Sequence, residues 1–340
     1  MIEAAVGDGW AERGDRLPAT VLAAVLGRPG GRVLSCHAEP IRNGTGAATG
    51  AVTRLSGTAL LGADDAAAGA SGEASSWVNG TGGTDGTGTG GARGAGDREV
   101  SFRVVRKEFR PLRTGRHAPY TGDPQHWAYW RREPPAYASG VLPRGPGLAA
   151  PRCYGVVDDV VYLEDVAGTP SAPRVAARRL GAWQAATAVP DVPWLAGHQL
   201  AQRLAVTEWT PVDVDPRIEQ LWRRQDELLV ELSRLPAVLS HGDFSTGNLL
   251  DSAGATVVLD WATLGAGPVG ADLAALALST FADPLEDYLA GARGRFDRAD
   301  VELGYRATLA LTGAGRVHWM VAGGMRVPGG YEDFVLSQAP

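Results

Sequence analysis

Leu239–Leu250 reads LSHGDFSTGNLL, and Val257–Thr263 reads VVLDWAT. Asp243 lies in a polar, glycine-punctuated loop after an apolar segment, five residues before Asn248. Asp260 ends an apolar run with the pattern of a short buried strand. A loop carboxylate, a carboxamide and a strand-end carboxylate converge if the loop folds back beside the strand. Oxygen ligands of that kind suit Mg2+, which takes few protein ligands and completes its shell with phosphate oxygens and water. Asp243, left unmetallated, is then free to accept a proton from an attacking hydroxyl.

A second candidate emerges from composition. The 32 basic residues comprise 31 arginines and one lysine, Lys107. A compact ammonium does chemistry that a wide, planar guanidinium cannot, so the surviving lysine is a candidate for function. Its neighbours exclude several classes. A phosphate-binding Gly-Lys-Ser/Thr loop is absent, because Glu108 and Phe109 follow the lysine. A Ser-x-x-Lys nucleophile motif is absent, because Val104 stands three residues before it. Any lysine Schiff base would have to use Lys107. The two cysteines, Cys36 and Cys153, form no CxxC pair, so neither a disulfide framework nor a thiolate zinc site is expected.

The elements that must position these groups differ along the chain. Arg32–Ile41, Ala51–Leu61 and Glu99–Phe109 have strand character, with Phe102 and Val104 facing inward on the third. Arg42–Gly50 (RNGTGAATG) forms the turn between the first two. Arg152–Val157 and Val160–Glu164 form a hairpin-like pair around Asp158-Asp159. Trp127–Gly140 has aromatics at helical spacing, interrupted by Pro134-Pro135. Gly62–Asp97 holds 12 glycines in 36 residues and reads as a long flexible loop within the sheet. After about residue 168, amphipathic helices dominate, over Val175–Thr187, Pro216–Leu235, Pro268–Phe281, Pro284–Ala292 and Val301–Trp319. Trp127, Trp130, Trp222 and Trp319 read as core residues.

HGDFSTGN, then LDW, then Gly267–Ala274 (GPVGADLA), resembles the aminoglycoside phosphotransferase and choline kinase-like family, within the protein-kinase-like fold. The resemblance implies an α+β fold of two lobes. The first, 1–165, is small, antiparallel and nucleotide-binding; the second, 166–340, is mainly helical and carries the catalytic loop and acceptor site. It implies that Asp243 orients or deprotonates the acceptor hydroxyl, and that Asn248 and Asp260 hold Mg2+ bridging the phosphates of ATP or GTP. His241 and Asp272 become braces of the catalytic loop. Lys107, on the third strand, falls where the family holds the α/β-phosphates, and Glu133 in WRREPP is its candidate partner. Pro134 leaves two alternatives there: a helix restarting with the prolines in its first turn, or a kink. Strand alternation points Glu108 away from Lys107. Gly44 and Gly46, with Gly50, lie where backbone N–H groups of the first turn would meet phosphate oxygens. Glu164 and Val166, in EDVAG, resemble the hinge whose backbone meets adenine.

The expected reaction is transfer of the γ-phosphoryl group to a hydroxyl of a small molecule, aminoglycoside-like or another hydroxylated metabolite. The alternatives are a peptide or protein Ser/Thr kinase of a modified-peptide pathway and a nucleotide-binding scaffold without turnover. The 38 acidic residues give a net charge of −6, which argues against a nucleic-acid partner. Residues 169–340 carry 14 basic and 20 acidic side chains, so the whole excess lies there. No apolar run of membrane-spanning length and no signal-peptide pattern occurs, and the expectation is a cytoplasmic protein without membrane contact.

Overall fold

The computed structural model describes residues 17–41, 49–61 and 98–340. Gly44, Gly46 and the segment Gly62–Asp97 lie outside the described residues. The chain divides into two compact units, residues 1–40 with 53–105, and residues 41–52 with 106–340.

In the first unit, helix α1 (Ala19–Leu26) starts after Pro18 and stops at Gly27, whose positive φ of 72° lets its N–H close on Ala23 O. Strand β1 (Arg32–Pro40) pairs antiparallel with β2 (Thr49–Leu61), placing Glu39 opposite Arg54, with which it forms a 3.3 Å ion pair. The division falls within β2 and within β3 (Arg98–Phe109). Along β3 the buried positions are Phe102 and Val104, then Lys107 and Phe109, so the alternation slips by one residue between Val104 and Lys107. That slip turns the ammonium stem, rather than Arg106, onto the buried face.

The second unit continues with helix α2 (Glu133–Ser139), strand β4 (Leu148–Ala149), and the antiparallel hairpin of β5 (Cys153–Val157) and β6 (Val160–Glu164). The end of β3 meets this hairpin where Phe109 N–H donates to Asp159 O at 3.0 Å. The helix expected across Trp127–Gly140 is confined to α2. Residues before it form turns whose carbonyls point inward, and the buried Arg132 guanidinium explains why: it gathers the carbonyls of Pro124, His126 and Trp127.

Strand β7 (Thr169–Pro170) leads into helix α3 (Pro173–Ala186), followed by α4 (Gln199–Leu204), α5 (Pro216–Arg223) and α6 (Gln225–Leu232). Pro216–Leu235 thus forms two helices instead of the single one its pattern predicts. The chain tightens at Arg224 (ψ 8°), whose N–H donates to Leu221 O and Trp222 O. Ile218, Leu221, Leu228 and Leu232 are all buried across the break, so the apolar stripe reads as continuous in sequence. Strand β8 (Ala237–Ser240) precedes the HGD loop, and β9 (Leu249–Ser252) pairs antiparallel with β10 (Ala255–Val258). One sheet has the order β4-β10-β9-β7; β8 instead pairs antiparallel with β11 (Gly265–Pro268). The β8–β11 ladder brackets the site, since the HGD loop leaves one strand and Asp260–Leu264 leads into the other.

Helices α7 (Ala271–Thr280), α8 (Leu285–Ala292), α9 (Arg298–Ala322) and α10 (Tyr331–Gln338) complete the chain. They share one apolar core with α3 to α6, which includes Leu180, Trp222, Phe244, Leu276, Tyr305 and Val317. Strands before residue 165 and mainly helices after it make the chain α+β, as expected. Among the described residues no helix is long and apolar enough to cross a membrane.

Candidate active site

Asp272, in the first turn of α7 and 4% exposed, organises the HGD loop. Its Oδ1 accepts from Ser240 Oγ and Gly242 N–H, each at 2.8 Å; its Oδ2 accepts from His241 N–H at 2.9 Å and Gln184 Nε2 at 3.0 Å. Four donors use up the accepting capacity of this buried carboxylate, which fits a bracing position. Gly242 has φ +80°, and a Cβ there would stand 2.9 Å from Thr263 O, so both conformation and space call for glycine.

His241 is fully buried and ties the loop to the end of β10. Its Nε2 lies 2.9 Å from Leu259 O, while Asp243 N–H donates to Nδ1 at 3.2 Å. Those two partners assign the proton to Nε2. Its ring stands edge-on to Trp261, at 4.7 Å between centroids. Beyond it, Asn248 Nδ2 donates to both Asp243 O (2.9 Å) and Asp243 Oδ2 (3.1 Å). This fixes the Asp243 carboxylate and leaves its Oδ1, like Asn248 Oδ1, outside that contact. Leu259 N–H donates to Asn248 O at 2.8 Å, which sets Asp260 beside the turn that carries Asn248. Asp260 itself adopts φ 60°, in the left-handed region uncommon for a residue with a side chain.

Lys107 Nζ joins two carboxylates, donating to Glu133 Oε2 at 2.6 Å and Asp260 Oδ1 at 2.7 Å. Glu133 is the first residue of α2, and Pro134 and Pro135 follow in the first turn, where a missing N–H costs no helical hydrogen bond. Of the two arrangements open from the sequence, the structure adopts the helix that starts at Glu133. Glu108 instead pairs with Arg106 and with Arg110.

Two carboxylates around one ammonium leave this triad with one excess negative charge. Burial pushes the Glu133 carboxyl up to about 7, against the pull of Lys107 and helped by the neighbouring Asp260 charge. Burial also opposes the Lys107 ammonium, yet the two carboxylates outweigh it and hold Lys107 above its ordinary value. At Asp260 burial acts upward, but Lys107 and then His241 bring the net shift down. A negative excess beside two oxygen donors, Asp260 and Asn248, fits a hard cation. Among the described residues no group of three or more His, Cys, Asp or Glu could hold a metal, so phosphate and water would have to supply the remaining ligands.

Two cavities meet at Asp243. One, of about 260 Å³, is bordered by Asp243, Asp260, Thr49, Trp127 and Tyr129. The other, of about 290 Å³, is bordered by Asp243, Gly242, Trp222 and Trp319 together with several basic residues. Trp222 is in the core as expected, whereas Trp319 is 60% exposed at this cavity.

The remaining candidates stand apart from these groups. Glu164 ends β6; its N–H donates to Arg152 O (2.8 Å) and its Oε2 accepts from Arg152 N–H (3.2 Å). Val166 is half-buried in the segment that follows. Neither hydrogen-bonds to Lys107, Glu133, Asp243 or Asp260 among the described residues. Sequence reasoning missed Arg132, which is fully buried beside Glu133 and donates to five carbonyls: Trp194, Trp127, Ala262, Pro124 and His126, at 2.7 to 3.3 Å. Burial brings its guanidinium down to about 10. In a chain with 31 arginines nothing in the sequence separates this one from surface residues.

No curated protein matches the chain. Residues 154–307 match the model of the phosphotransferase enzyme family. Among solved structures, the chain is similar to a choline/ethanolamine kinase family protein of Mesorhizobium loti (14% identity, 71% of this chain and 81% of that one, TM-score 0.46). It is also similar to a putative fructosamine-3-kinase of Thermobifida fusca (18% identity, 94% and 96%, TM-score 0.45). A third is the macrolide 2'-phosphotransferase of Brachybacterium faecium (17% identity, 70% and 82%, TM-score 0.41). The family match spans Asp243, Asn248, Asp260 and Asp272, whereas Lys107 and Glu133 precede it. That segment, with the catalytic-loop and metal-side candidates in it, is similar to the phosphotransferase enzyme family.

Proposed function

We propose that the chain transfers the γ-phosphoryl group of ATP or GTP to a hydroxyl of a small molecule, with Mg2+. The observation that carries this reading is the arrangement of the sole lysine, 2.6 Å from Glu133 and 2.7 Å from Asp260. A buried ammonium pinned between a helix start and a strand end is placed to hold nucleotide phosphates next to the metal-side carboxylate. Lys107 binds the α/β-phosphates and Glu133 sets its position. Asp260 and Asn248 would hold Mg2+, which would supply charge neutralisation for the nucleotide phosphates. Asp243, oriented by Asn248 through Oδ2, accepts the acceptor's proton at Oδ1.

Gly44 and Gly46 complete the proposal at the phosphates, and the backbone of Glu164 and Val166 at adenine. The functional division is proposed near residue 165, with nucleotide contacts mainly before it and acceptor contacts after it. The 290 Å³ cavity beside Asp243 lies just below the usual small-molecule range of about 300–1,000 Å³, which suits a small acceptor. The test is ADP release, with Asp243→Asn as the comparison. Loss of about 10²–10⁴-fold in turnover, with nucleotide binding retained, is expected of a general base. Unchanged turnover would remove Asp243 from that role.

A further inference from the structure

The cavity beside Asp243 is more basic than the acidic half of the chain around it suggests. Arg116, Arg203 and Arg316 all border it, and none is ion-paired with a carboxylate among the described residues. Arg203 stacks on Trp127, 4.1 Å from the ring centroid. With the Gln199 amide oriented to satisfy both neighbours, that side chain donates to Gly242 O (2.9 Å) and accepts from Arg203 Nη2 (3.1 Å). The carboxylates on the cavity wall do not offset three guanidinium groups. Asp272 is engaged by Ser240, His241 and Gly242 of the loop and by Gln184, and together with Asp243 it makes two charges against three.

A second observation is independent of charge. Arg203 Nε, His198 Nε2 and Thr308 Oγ1 are buried and lack hydrogen-bond partners, and all three residues line this cavity. Unsatisfied buried polar groups are costly, and three of them in residues around one cavity make its wall polar as well as basic. The local field is consistent with this. Burial lowers the Arg203 guanidinium to about 10, the neighbouring Arg316 and Arg116 charges act in the same direction, and Asp243 opposes them. Leu200, Leu204, Leu311 and the exposed Trp319 supply an apolar wall.

We infer that the acceptor is a hydroxylated anion, with a carboxylate or phosphate held by Arg203 and Arg316 and an apolar body that places its hydroxyl at Asp243. This rests on the phosphotransferase reading of Asp243 and names the substrate class for that site. The guanidinium fork matches either anion with two parallel hydrogen bonds, and polycationic acceptors are repelled. Arg116 and Arg316 border only the cavity away from Asp260, which assigns them to the acceptor and not to the nucleotide. In the transfer, the acceptor oxygen forms its bond to the γ-phosphorus as the bridging P–O bond breaks. ADP leaves with that electron pair, and the hydroxyl proton passes to Asp243.

A series of probes sharing one tail tests the inference: ω-hydroxyhexanoate, ω-hydroxyhexyl phosphate, ω-hydroxyhexanamide and ω-aminohexanol, titrated calorimetrically into the full chain. At least one anion should bind about tenfold or more tighter than the amide, and the amine weakest. The preference between carboxylate and phosphate identifies the head group. Arg316→Met should weaken the anion about 10–100-fold while leaving the affinity for a non-hydrolysable ATP analogue unchanged, which also reports that the variant is folded. The inference is overturned if the amine binds as well as the anions, or if neither anion binds at millimolar concentration. It is also overturned if Arg316→Met spares the anion or weakens the nucleotide equally. ADP release on adding ATP is the separate readout. Anion binding lost in Arg316→Met but without ADP release would refute the phosphoryl-transfer reading and leave the anion site standing.

Discussion

Lys107 poses the sharpest question about a single side chain. Arginine is the other permanent cation, yet its planar fork cannot sit between two carboxylates 2.6 and 2.7 Å from one nitrogen in the same volume. Lys107→Arg keeps the charge and is expected to lower kcat/KM for ATP by about 10²-fold or more, a loss of roughly 3 kcal/mol of transition-state stabilisation. Steady-state kinetics against ATP checks this, and near-normal activity would make the lysine incidental. Glu133 gives the matching pH dependence. Its carboxyl, raised to about 7 by burial, takes up a proton as pH falls and then no longer anchors the ammonium. kcat/KM for ATP should therefore fall about tenfold per pH unit below an apparent pKa near 7. In Glu133→Gln the overall activity should be lower and that acid limb absent. A limb that survives the substitution belongs to another group.

At the scale of elements, the turns before α2 depend on Arg132. Its five hydrogen bonds tie the 124–127 turns, Trp194 and Ala262 to the residue preceding Glu133. Lysine has three donors, so Arg132→Lys leaves at least two buried carbonyls unsatisfied. The expected cost is about 2–5 kcal/mol, measurable by urea unfolding, and Glu133 should lose its fixed position along with it. A change below about 0.5 kcal/mol would mean that water replaces the guanidinium. Reading these elements from the sequence succeeded where the pattern is local. The strands 32–40, 153–157 and 160–164 and the helices α3, α7, α8 and α9 follow from alternation and apolar stripes. It failed where a distant group decides: the aromatic spacing of Trp127–Gly140 suggests one helix, but Arg132 draws those carbonyls inward. Strands β8, β9 and β11 span four residues each, too short for a period to register, and β11 (GAGP) has the composition of a turn. The site itself was more legible than its surroundings. Asp243, Asn248 and Asp260 sit in one short stretch of sequence, whereas the arginines of the second cavity are spread from 116 to 316 and look like any others.

For the whole molecule, the net charge of −6 says little about either cavity, because the acids of the second half and the arginines facing Asp243 occupy different places. Ligand linkage makes the triad visible in global stability. A non-hydrolysable ATP analogue with Mg2+ at a hundred times its Kd should add about 2.7 kcal/mol and raise Tm by several degrees. Chelating the metal, or Asp260→Asn, should remove most of that gain; a metal-independent shift would take Asp260 out of metal binding. The solitary, buried lysine also makes the protein its own labelling experiment. Apart from any α-amino group, an amine-selective reagent can add to one side chain only, so intact mass reports occupancy of a single site without digestion or mapping. Its two ion pairs keep that amine protonated and unreactive, and the rate of mass gain becomes a clock for how often the triad opens.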